Sequence, residues 1–168
     1  MSSLVLPVAS TTTLGGVKVD GTTITINNGV ISSASSGAFI NPVITGTTTI
    51  QHLSEIVTPI TDATGTVDHD FSTGSSIFYH TNVQSDFTAS FLNVPADNGR
   101  SYFVTLIIVQ GSTPFIPHAV NINGVSQNLF WNNNQEPNGT ANKTEFFGFN
   151  LIRRNDSWLI TASVTTYG

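Results

Sequence analysis

Residues 146–164, FFGFNLIRRNDSWLITASV, decide how the chain reads. Apolar side chains return at every second position: Phe147, Phe149 and Leu151 fall on one face, and beyond Asn155-Asp156 the residues Trp158 and Ile160 pack beside them. A period of two belongs to a strand, and Asn-Asp between two such runs is turn chemistry, so the stretch predicts a hairpin that anchors a core. The same alternation recurs upstream at 65–71, 76–81, 87–92, 101–110, 119–122, 127–131 and 144–153, and closes with 158–166. Short strands at this spacing, with no amphipathic helix longer than about two turns, predict an all-β chain ending in an antiparallel, jelly-roll-like β-sandwich. Within it SYFVTLIIVQG is apolar on both faces, Tyr102, Val104, Leu106 and Ile108 on one and Phe103, Ile107 and Val109 on the other. That pattern predicts a central strand covered on one side by a second sheet and on the other by loops or another subunit.

The first third is lighter. LPVASTTTLGGVKVDGTTITINNGVISS, residues 6–33, alternates Val17 and Val19, then Ile24 and Ile26, between turns at Asp20-Gly21 and Asn28-Gly29, with Ile31 following. Pro42 marks the next piece as an edge or turn element, because proline cannot donate to a ladder. Residues 1–56 hold many strand formers and few large side chains, so they read as a shaft or attachment segment preceding a head at 57–168. Short strands that cannot bury their own apolar face must borrow neighbours. The reading is a homotrimer in which Val17, Val19, Ile24, Ile26 and Ile31 meet around a shared axis, and the alternative is docking on the chain's own C-terminal domain.

Charge narrows the function classes. Charged residues are 9% of the 168, against roughly a quarter in average proteins. Five Lys and Arg against ten Asp and Glu leave a formal charge of -5, which argues against a nucleic-acid surface. No apolar run approaches the length of a membrane span, so no membrane insertion is expected. MSSLVLPVAS lacks the basic and long apolar regions of a cleaved export signal, so the chain is expected to act where it is assembled. With no cysteine, neither disulfides nor thiolate zinc can staple the fold.

These residues carry a resemblance. ASTTTLGGVKV followed by TITINNGVIS resembles segments of fibre and other virion structural proteins of tailed phages, and GAFINPVITGTTTI resembles elements of their fibre shafts. The part running from IFYHTNVQSDFTASFLNVP to LIRRNDSWLITASVTTYG is similar to a C-terminal module of structural proteins in phages of marine cyanobacteria. The resemblance implies a trimeric fibre or decoration subunit of a virion, assembled in the host cytoplasm. Its N-terminal segment would be held by other virion structural proteins and its β head displayed. At 168 residues with one shaft element, a short fibre, a head-surface fibre or a tip piece fits better than a long tail fibre.

For function, the residues offer binding more readily than chemistry. Trp131 stands beside Asn132, Asn133, Asn134, Gln135 and Glu136 in a Pro/Gly-containing loop, an aromatic face next to amides and a carboxylate, as carbohydrate sites present them. These six are the candidate receptor contacts, with a host cell-surface glycan as partner, and Trp131 as a cap on the core is the structural alternative. The loop from Gln110 to His118 is a comparable candidate. Asp68 and Asp70 share a face with His69 opposite, which admits a catalytic or metal pair but reads more simply as a solvated strand, and Asp86 is the remaining acid nearby. His80 admits a metal set at a three-fold axis, though without an HxH spacing. Arg153-Arg154 reads as structural, one arginine pairing with an acid such as Glu145. No catalytic, cofactor-binding or metal-ligating residue is assigned and no enzyme is expected. A passive capsid-decoration role and a glycan-active spike module remain as alternatives.

Overall fold

The computed structural model describes residues 54–168 and, upstream, two strands, β1 (Ile24–Asn27) and β2 (Val30–Ser33). The chain divides into two compact units, Met1–Ile50 and Gln51–Gly168. In the first, β1 and β2 pair antiparallel across the two-residue connection Asn28-Gly29, with Ile26 opposite Ile31 and Ile24 opposite Ser33. Val17, Val19, the Asp20-Gly21 turn and the Pro42 element lie outside the described residues.

The second unit is all β, as the alternation predicts. Its strands are β3 (Val57–Thr61), β4 (Gly65–Asp70), β5 (Ile77–Thr81), β6 (Phe87–Leu92), β7 (Arg100–Val109), β8 (Pro117–Ile122), β9 (Val125–Gln127), β10 (Leu129–Trp131), β11 (Thr144–Arg154) and β12 (Ser157–Tyr167). They form a six-stranded sheet in the order β10-β12-β11-β7-β5-β3 and a four-stranded sheet in the order β4-β6-β8-β9. β3 was not among the expected strands. Its Pro59 lowers the strand signal, and among the described residues β3 is an edge strand with β5 as its one neighbour.

The antiparallel, jelly-roll-like pairing expected for the sandwich is corrected to a mixed one. β3, β5 and β7 run parallel, as do β4, β6 and β8, and β10 runs parallel to β12. The cause is the path. From β3 to β8 each strand crosses to the opposite sheet, so a return to the first sheet arrives in the original direction. Three two-strand coils stack in this way, and each strand of the other sheet serves as the crossover that parallel pairing requires. Antiparallel pairing begins where the path changes. β9 folds back on β8 through Asn123-Gly124, and β11 inserts between β7 and β12 with Arg154 opposite Ser157. Asn155 (φ 49) and Asp156 (φ 57) are both left-handed, as the two central residues of a type I′ turn must be, so the hairpin read from residues 146–164 is present.

One core lies between the sheets. Phe78, Val104, Leu106, Ile108, Phe147, Phe149, Leu151 and Ile160 of the larger sheet meet Val67, Phe87, Ala89, Phe91, Val120 and Ile122 of the smaller, all buried. Phe91 meets Phe149 edge-on across the layer at 5.4 Å. The core ends in a polar row: buried Glu145 accepts hydrogen bonds from Gln110 Nε2 (2.8 Å) and Thr166 Oγ1 (3.1 Å). Glu145 is therefore not the partner of the arginine pair. Arg153 lies instead over the Trp158 ring at 5.3 Å and reaches Asp156 at 3.9 Å.

Candidate functional site

The two sheets present different outer faces. On the smaller one the outward positions are polar, Thr66, Asp68, Thr88 and His118 among them. On the larger one exposed aromatic and aliphatic side chains stand beside the polar Thr105, Asn150, Thr161 and Ser163. Tyr79, Phe103, Phe130, Phe146 and Leu159 are exposed, and Phe103 leaves 72% of its surface free. Here the expected cover over β7 is absent among the described residues. β7 does lie inside its sheet, but no loop crosses the Phe103 face. Alternation counts apolar residues on each face and is silent on what, if anything, lies over them.

A groove of about 550 Å³ crosses this face. Its shape follows from the register. Phe103, Asn150, Thr161 and Phe130 stand in one row across β7, β11, β12 and β10. In the next row Gly148 sits between Thr105 and Ser163. Bulky rings thus stand at the two ends, with an amide and a hydroxyl between them, beside a floor whose central residue has no side chain. Three strand spacings separate Phe103 from Phe130, roughly 14 Å. Asn150 Oδ1 accepts from Ser101 Oγ at 2.8 Å, and the Asn150 amide N–H groups make no hydrogen bond among the described residues.

Trp131, Asn132 and Asn133 close one end of the groove, and Gln135 and Glu136 line a second depression that begins there. Asn134 lines neither. Trp131 sits on the inward side of β10 and packs edge-on against Phe147 at 6.2 Å and tilted against Phe149 at 6.3 Å, so it caps the core while one edge reaches the groove. Asn133 (φ 57) and Asn134 (φ 58) are left-handed, a conformation asparagine tolerates, and they turn the chain out of β10. Sequence reasoning missed Phe103, Phe130, Gly148 and Asn150. A signal for Gly148 was available, since a glycine inside an aromatic strand marks a place where something comes close.

The 110–118 loop is held from below. Gln110 Nε2 donates to Phe115 O (2.8 Å) and Gln110 Oε1 accepts from Phe115 N (3.0 Å), while Pro114, Ile116 and His118 line a third depression with Asp86 and Glu136. Asp86 Oδ1 accepts from Ile116 N at 2.8 Å.

The remaining candidates resolve into structural roles. Asp70 caps the 3₁₀ turn over Phe71–Thr73: its Oδ1 accepts from Asn93 Nδ2 (2.7 Å) and Ser72 N (2.8 Å), and the Asn93 bond, then that of Ser72, holds the carboxyl below its ordinary value. Asp68 is exposed on the polar face and lines no groove. His80 is not available to a three-fold axis, for it is fully buried in the core opposite His69, with the Nε2 atoms 3.0 Å apart. One ring must carry its proton on Nε2 and the other on Nδ1 for that bond to form, and both Nδ1 atoms lack a partner. Burial, and for His69 also the neighbouring His80, pushes His69 down to about 3, and burial pushes His80 down to about 4. Among the described residues no group of three or more His, Asp or Glu side chains is placed to hold a metal ion. Comparison with family models, with curated proteins and with solved structures finds no match to this chain.

Proposed function

We propose that this chain is a virion structural protein of a tailed phage, a short-fibre or surface-decoration subunit whose β head engages a glycan on the host cell. The observation that carries the binding half of this reading is the groove on the larger sheet. Exposed aromatic faces at Phe103 and Phe130 flank amides and hydroxyls at Asn150, Thr161, Asn132 and Asn133, and sugar rings offer apolar C–H faces and hydroxyl edges in the same alternation. The virion half rests on the resemblance of the 9–32, 37–50 and 77–168 segments to phage structural proteins. In this reading residues 1–56 join three chains and hold them to other virion proteins, and three weak sites on one particle gain affinity through effective concentration.

Labelled full-length protein added to marine cyanobacterial cells tests the reading. Adsorption that Phe103→Ala abolishes supports it, and Phe103 is exposed enough for that change to spare the fold. Adsorption of neither protein, together with silence on a broad glycan array, would leave a passive decoration role.

The exposed apolar surface around Phe146 and Leu159 favours a second reading, in which this face is where copies meet in the trimer. Light scattering separates the two. A Phe103→Ala protein that keeps the parental mass retains the groove as a binding site, and one that falls to monomer makes the face an interface.

A further inference from the structure

The groove does not end at Asn133. A second depression of about 330 Å³ shares Trp131, Asn132, Asn133 and Ser163 with it and runs along the β10–β11 loop. A third, of about 250 Å³, shares Glu136, Pro137 and Asn138 with the second and ends at Asp86 and His118. Three depressions that share walls lie in series, and together they offer more room than one sugar ring fills. Its charge is one-sided. Among the described residues the ionisable side chains lining it are Glu136, Asp86 and His118, and no Lys or Arg lines any part of it. The chain as a whole carries -5. A uronate, sulfate or phosphate group would meet two carboxylates and neither Lys nor Arg, whereas an uncharged hydroxyl-rich chain would meet amides that both donate and accept.

We infer that this track binds an extended, uncharged oligosaccharide, with Phe103 and Phe130 as stacking platforms and the Gln135–Asn138 loop holding the far end. The inference rests on the reading of this face as a glycan site and adds the charge class and length of the ligand.

Calorimetry of the full chain at near-physiological salt, with cello-, malto-, manno- and chito-oligosaccharides from two to six units and with hexagalacturonate as the acidic probe, tests it. The expected result is binding of at least one neutral series that tightens by ~10-fold or more from dimer to hexamer, with no heat from hexagalacturonate. Phe103→Ala should weaken dimer and hexamer alike. Asn138→Ala should weaken the hexamer several-fold and leave the dimer unchanged, which a purely structural role for Asn138 would not do. Affinity independent of length overturns the continuous track. Binding of hexagalacturonate in place of the neutral series overturns the charge class. If no probe binds while cell adsorption still depends on Phe103, this inference fails and the receptor reading stands. If adsorption is also absent, or if Phe103→Ala dissociates an oligomer, both fail.

Discussion

Lowering the pH from 7.5 to 5 should destabilise the C-terminal unit through one pair of residues. His69 and His80 face each other across the core among Phe78, Phe87 and Phe91, both fully buried, and both are depressed from 6.5, to about 3 and about 4. Two neutral rings share one proton between their Nε2 atoms at 3.0 Å. Protonating the acceptor would aim two N–H groups at each other. In the unfolded chain each imidazole protonates near its ordinary value. The contribution of the neutral pair is therefore complete above 6.5 and drains away as the pH falls toward the folded-state values. At pH 5 both rings are still neutral when folded, so each costs about 2 kcal/mol and the pair about 4, a slope that approaches two protons, about 3 kcal/mol per pH unit. Against a total of roughly 5–15 kcal/mol for a typical domain, that is a large fraction. Urea unfolding at several pH values between 7.5 and 5, followed by circular dichroism, reads this slope directly. The control is the double variant His69→Leu, His80→Leu, which removes both partners together and leaves no orphaned ring nitrogen behind. It should flatten the slope to near zero. A wild-type slope near zero, or a double variant that keeps the full slope, would refute the buried neutral pair.

Gly139 is left-handed (φ 71), and a Cβ there would meet Pro114 Cβ at 3.0 Å, so Gly139→Ala should cost about 1–3 kcal/mol in chemical denaturation and loosen the loop that carries Asn138. Gly148 has no such strain, and its Cβ would meet only Ser163 Oγ at 3.8 Å. Gly148→Val should raise the melting temperature by a few degrees through better strand propensity while filling the groove and eliminating glycan binding. Phe147→Ala empties a fully buried site and should cost about 3–5 kcal/mol by the same unfolding assay. Asp68→Ala should leave stability within about 0.5 kcal/mol and glycan binding unchanged, because the side chain is exposed and outside the groove.

Much of the fold was legible because burial leaves a mark at every second residue. The positions of β4 to β8, the β11–β12 hairpin and its Asn155-Asp156 turn all follow from alternation and turn chemistry. Pairing was not legible. A strand such as β6 carries the same Phe87, Ala89, Phe91 pattern whether its neighbours run with it or against it, and the choice depends on where the intervening strand travels. The site was legible in part. Trp131 through Asn133 stood out because an aromatic beside amides is visible in one line of sequence, whereas Phe103, Asn150, Thr161 and Phe130 come from four strands and become a row only through register. His69 and His80 stand eleven residues apart, and nothing in the sequence pairs them. Crossing from β4 to β5 brings them into contact.

The stacked coils bear on how the C-terminal unit can change size. Because β3 to β8 are laid down one circuit at a time, a whole circuit inserted between β6 and β7 would find a parallel neighbour above and below in each sheet. The β11–β12 hairpin and the groove it floors would keep their register. The length of the stack can therefore vary in whole-circuit steps while the face that carries the groove stays constant.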